Sequence, residues 1–155
     1  MSNKRLAGII AGCIIVVVVI VAIATLGPKP PEQVTDYSTL LRYLRDSAAS
    51  IGEEGEIHQP FFRDVEGRSV TVNESTIQVF EYVNAEAMEA EASRVSSDGF
   101  NIRKENGDIG VIVNVGWINP PHFYKAGRII VIYIGDNDSI ISLLENALGK
   151  QFAGM

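Results

Sequence analysis

The chain has 155 residues, a net charge of −6 and one cysteine, Cys13. An acidic surface repels phosphate backbones, so nucleic acid is not an expected partner, and one cysteine leaves neither a disulfide nor a thiolate metal cluster. With a membrane-crossing length set aside, about 120 residues remain, room for one domain with a modest core.

Residues 6–26, LAGIIAGCIIVVVVIVAIATL, are an uncharged apolar run of about 21 residues, the length a helix needs to cross a bilayer core. Lys4 and Arg5 precede it, whereas Gly27, Pro28, Pro30 and Pro31 stop it with only Lys29 basic beyond. That bias places residues 1–5 in the cytoplasm and the rest outside, at the cell membrane. With Lys4 and Arg5 set aside, eleven basic residues stand against 19 acidic ones, so the outer part carries −8. Lipid does not solvate amides, so the β-branched run must close its own hydrogen bonds as a helix. Three fates are open: a retained signal anchor, cleavage after Ala24 at Ala22-Ile23-Ala24, or acylation of Cys13 in Ile10-Ala11-Gly12-Cys13. The run is long, has no polar region before Ala22 and continues well past Cys13, which favours the anchor. Ala7-Gly8 and Ala11-Gly12 form a small-residue face spaced by four, of the kind that pairs membrane helices.

Residues 27–35 read as a stiff Pro-rich spacer, and residues 36–155 as the extracytoplasmic domain. Thr35 or Asp36 caps a helix over 37–51, with Tyr37, Leu40, Leu41, Leu44, Ala48 and Ile51 at helical spacing and Gly52 as its stop. Arg42, Arg45 and Asp46 fall on the solvated side. Glu53-Glu54-Gly55 reads as an acidic turn, 56–62 as a strand and 64–67 as a turn. Strands over 69–72 and 76–83 flank Asn73-Glu74-Ser75.

Asn84 caps a helix over 85–96, with Ala85, Met88, Ala92 and Val95 inward and Glu86, Glu89 and Glu91 in water; Gly99 suits the left-handed cap after it. Strands over 100–104 and 109–115 flank Asn106-Gly107, a type I′ hairpin signal, with Ile109, Val111, Val113 and Val115 on one face. A non-regular segment over 117–127 precedes a buried strand over 128–134. The last helix, 139–148, packs through Ile140, Ile141, Leu144, Ala147 and Leu148 and stops at Gly149. These elements predict an α+β protein: an N-terminal transmembrane helix, then one small domain with a largely antiparallel sheet of about five or six strands and three helices, mostly on one face.

Chemistry-bearing residues are sparse. His58 and His122 lack ligand-spaced partners, and no Gly-x-Ser-x-Gly elbow occurs. Ser139 beside Asp138 suits helix capping, and Asp136-Asn137-Asp138 lacks the distal glutamate of an EF-hand. No catalytic set, cofactor or metal is therefore expected. The most unusual segment is 116–128, GWINPPHFYKAGR. Trp117, His122, Phe123, Tyr124, Lys125 and Arg128 are the candidates for a ligand or partner surface, because aromatic groups supply contact area at low entropy cost. The competing reading, which we favour, has Trp117, Phe123 and Tyr124 folding back over the sheet edge and His122 tying down a loop carbonyl. His122 and Tyr124 have polar tips, so within the set they are the ones expected to face a ligand.

Gly67 with VTVNESTIQVFEY at 70–82, VSSDG at 95–99, WINPPHFYKAGRIIVIYIGDN at 117–137 and ALGKQFAG at 147–154 resemble a group of short, uncharacterised prokaryotic exported or membrane-anchored proteins. The PPHFYKAGR block is the most specific part, and the hairpin over 100–115 looks like an elaboration on a shorter link. The resemblance implies export and no particular activity. Many of that group look like lipoproteins with a cysteine ending a shorter apolar run, whereas Cys13 lies within a long one. The expected function is a non-enzymatic binding or accessory module on the outer face of a prokaryotic membrane, with a protein partner outside it. The alternative is a small extracytoplasmic hydrolase or ligand-processing enzyme centred on His122.

Overall fold

The structure, a computed structural model, describes residues 33–155 other than 63, 64, 66, 107 and 108. The apolar run at 6–26 and the anchor, cleavage and acylation readings lie outside the described residues. Among the described residues, no helix is long and apolar enough to cross a membrane.

The described chain is α+β. Helix α1 spans Tyr37–Asp46, followed by β1 (Ile51–Ile57), β2 (Gly67–Val72), β3 (Ser75–Glu81), α2 (Ala85–Ala92), β4 (Asn101–Asn106), β5 (Ile109–Asn114), β6 (Pro121–Ala126), β7 (Ile129–Ile134), α3 (Asp138–Leu148) and β8 (Ala153–Gly154). Six strands pair antiparallel in the order β1-β2-β3-β7-β6-β8, and β4-β5 form a separate two-stranded sheet.

Helix α1 begins in a capping box. The Thr39 N–H donates to Asp36 Oδ1 at 2.9 Å, and the Asp36 N–H donates back to Thr39 Oγ1 at 3.0 Å. The helix stops earlier than its apolar spacing suggests. Ala48 takes a left-handed φ of 57°, and Ile51 packs on the core from β1, opposite Val72. Glu54-Gly55 is strand rather than turn. Among the described residues β1 is an edge strand paired only with β2, so its open side tolerates residues that a central strand excludes. Phe61 and Phe62, expected in a strand, instead leave it and bury beside Phe80. The β2–β3 turn is Asn73-Glu74, both at positive φ, the geometry of a type I′ hairpin.

Both faces of the central strands are covered. Val70, Val72, Ile77, Val79, Tyr124, Ile129, Val131 and Tyr133 pack on Leu40, Leu41 and Leu44 of α1 and on Ile140 and Leu144 of α3. Phe80, Phe123, Ile130 and Ile132 pack on the other side against Phe61, Phe62, Met88 and Ala92 of α2, and Ile102 of β4. Helix α2 therefore lies opposite the other two, and double coverage explains why β7, IIVIYI, is apolar at every position. Two further details of α2 differ from expectation. It ends at Ala92, and Glu91 is buried, paired with Arg94 at 2.8 Å, whereas Ala85 is exposed.

The largest revision concerns 117–127. Residues 121–126 form β6, inside the sheet between β7 and β8. Pro121 sits at the strand's first position, where a proline is tolerated. The β4–β5 hairpin does not extend the main sheet; it docks through Ile102 and a bridge to Val95.

Candidate functional site

The six residues singled out between 117 and 128 do not form one surface, because strand alternation sends neighbours to opposite faces. Phe123 is buried in the α2-side core and Tyr124 in the α1–α3 core. Trp117 is half-buried, stands edge-on to Phe61 and Phe123 with centroids 5.9 Å away in each case, and donates its Nε1–H to the Gly99 carbonyl at 2.9 Å. Lys125 pairs with Glu89 and lies over the Phe152 ring.

His122 is 6% exposed. Its Nε2 lies 3.0 Å from the Gly135 carbonyl and its Nδ1 lies 2.7 Å from Gln151 Oε1, with the ring stacked on Tyr133. Both ring nitrogens are thus occupied by the chain itself. Neither Tyr124 nor His122 presents its polar tip to solvent, contrary to the expectation that these two face a ligand. Burial pushes the Tyr124 phenol up to about 12, with Glu145 adding to the shift.

Arg128 is the exception, because the β6–β7 turn carries it to the start of α1. Gly127 has φ 53° and its backbone touches Thr35; a Cβ there would lie 2.2 Å from the Thr35 carbonyl oxygen. The Arg128 N–H donates to that same oxygen at 2.8 Å. From there the Arg128 guanidinium reaches Glu81 Oε1 at 2.7 Å.

Glu81 belongs to a cleft of about 340 Å³ lined by Tyr37, Glu56, Val65, Gly67, Arg68, Val79 and Glu81. Pairing builds its floor: Glu56 lies opposite Arg68, and Arg68 opposite Val79, two residues before Glu81. All of these project from one face. The Arg68 guanidinium lies 4.3 Å from the centroid of the Tyr37 ring and 4.0 Å from Glu81 Oε2. The Tyr37 hydroxyl donates to Glu54. Burial, then the bond to Glu54 and its charge, push the Tyr37 phenol up to about 12. Behind Arg68, on the other face of the sheet, Gly67 lets Phe80 and Ile57 close over the strand, since a Cβ there would lie 2.4 Å from Phe80 Cε1.

The cleft therefore holds a half-exposed guanidinium fixed against an aromatic ring, with carboxylates on either side. Such a group supplies directional donors and a flat stacking face. None of Tyr37, Glu54, Glu56, Arg68 or Glu81 is among the site candidates the sequence offers, Tyr37 reading as a core position of the helix and Glu54 as part of a turn, although a signal exists. Arg68 is in phase with Val70 and Val72, and Glu81 with Ile77 and Val79, so each is a charge at a core-facing position at the end of a strand. Among the described residues no group of three or more His, Cys, Asp or Glu is disposed to hold a metal. Comparison with protein-family models, curated proteins and solved structures returns no match.

Proposed function

We propose that the chain is a single-pass membrane protein whose domain is a binding or accessory module for a protein partner outside the membrane, engaged through the Tyr37–Arg68–Glu81 cleft. The tether is residues 6–26, retained as a signal anchor, with the N-terminus inside and the domain outside. The resemblance to short prokaryotic exported or anchored proteins agrees with that placement.

The cleft carries the reading. Its volume suits one or two side chains of a partner peptide, and its polar groups are held by their own contacts and need little rearrangement on binding. The setting of His122 does not favour the enzymatic alternative, since a general base needs a ring nitrogen within reach of substrate.

The tether is tested by washing membranes with alkaline carbonate and adding protease from outside: the full-length chain is expected to stay in the pellet while its domain is digested. Release by the wash, a mature start at Thr25, or an acylated Cys13 would replace the anchor. The cleft is tested by Arg68→Ala, which should abolish crosslinks to the partner in native membranes while melting stays nearly unchanged. Retained crosslinks would move the binding surface elsewhere.

A further inference from the structure

The edges of the two sheets are treated differently. In the main sheet β1 is broken by a register shift between Ile51 and Glu54 and carries exposed glutamates, and β8 is two residues long. Both are devices that prevent strand addition. In the small sheet, β4 is covered: the Ser96 N–H donates to the Asn101 carbonyl at 2.8 Å and the Arg103 N–H to the Arg94 carbonyl at 2.9 Å. Strand β5 has no such cover; among the described residues nothing pairs with its outer edge. From Gly110 to Trp117 it and its continuation read GVIVNVGW, with no charge and no proline, in a chain of net charge −6. Its pairing with β4 has no bulge, and Val111 and Ile112 are 44% and 67% exposed.

We propose that β5 is a self-association edge, to which a second copy of this chain adds its own β5 antiparallel about a two-fold axis at Ile112. Pairing of Asn106 with Ile109, together with the Val115 N–H donating to the Phe100 carbonyl at 2.9 Å, turns the amides of 109, 111, 113 and 115 inward to β4. In an antiparallel ladder the alternate residues Gly110, Ile112 and Asn114 then present their N–H and C=O groups outward. That set is centred on Ile112. The two-fold pairs Gly110 with Asn114 of the second copy and Ile112 with its own equivalent, so each outward group meets a complementary one.

Charge favours a copy as occupant. At a net charge of −6 two copies repel each other, and this edge is an uncharged stretch on which they can meet without opposing carboxylates. The small-residue face at Ala7-Gly8 and Ala11-Gly12 also points to self-association, and shared residence in a membrane raises the effective concentration of the second copy. Only these last two arguments rest on the proposed tether.

The test uses the full-length chain in detergent micelles with Cys13→Ser and a new cysteine at the axis, Ile112→Cys, against Ile118→Cys as control, a residue that is 91% exposed. Antiparallel neighbours lie within the Cα separation that a disulfide spans. Mild oxidation is expected to give a covalent dimer for Ile112→Cys and none for Ile118→Cys. Ile112→Lys, which sets two like charges opposite each other, should shift the mass from dimer to monomer by light scattering while circular dichroism stays unchanged. Equal crosslinking at both positions, crosslinks from position 112 only to other proteins, or a monomeric wild-type chain would overturn the proposal. Release from membranes by carbonate would remove the tether while leaving this result intact.

Discussion

At Gly127 the left-handed φ and the contact with Thr35 coincide, so Gly127→Ala meets both backbone strain and a collision with main-chain atoms that cannot swing aside. It should destabilise the domain by about 2 kcal/mol or more, read from denaturant melts, and should free Arg128 from Glu81. A change below about 0.5 kcal/mol would mean that the turn relaxes at little cost. Tyr37 gives a pH signature. Its phenol is raised from an ordinary value of 10.0 to about 12, so the folded state holds the proton more tightly than the unfolded chain. The resulting contribution to stability is present in full below pH 10.0 and is lost as pH rises through about 12. Tyr37→Phe keeps the ring beneath Arg68 and removes the titration. The fall in melting temperature between those pH values should become shallower; an identical fall would assign it to other groups, among them Tyr124, whose phenol is also raised to about 12.

The segment over 117–126 shows what sequence patterning conveys and what it does not. Alternation in 69–72 and 76–83, the caps at Asp36 and Asn84 and the helix ending at Gly149 were all readable, because each depends on residues close in sequence. The strand over 121–126 was not: two prolines mark a loop, and PHFYKA lacks alternation because both its faces are covered, by α3-side residues beneath Tyr124 and by Phe152 and Trp117 around Phe123. The burial of Glu91 beside Arg94 and near Tyr82 likewise depends on how the helix packs on the sheet, which no local pattern encodes. The cleft was half readable, through charges in phase with core positions at Arg68 and Glu81, yet the meeting of three strands and a helix start requires the register. Trp117 ties the segment before β6 to the α2-side core. Trp117→Ala removes two edge-on ring contacts and the bond to Gly99, and should cost about 2–4 kcal/mol because the side chain is half-buried. An unchanged melting curve would contradict this structural role.

For the whole molecule, fold and cleft divide the labour. The β6–β7 hairpin and α1 converge at Thr35, which brings Arg128 and Tyr37 to the strand ends bearing Arg68 and Glu81. The cleft thus opens beside the start of the domain, directly after the spacer in sequence. The claim that it receives a protein partner outside the membrane is tested most directly by a photo-crosslinking residue in place of Glu56, an exposed position on the cleft wall, in the full-length chain in native membranes. The account predicts a discrete adduct with another protein on irradiation, lost when Arg68→Ala is added and absent when the crosslinker is moved from 56 to position 118, outside the cleft. No adduct at 56, or one that persists without Arg68, would contradict it.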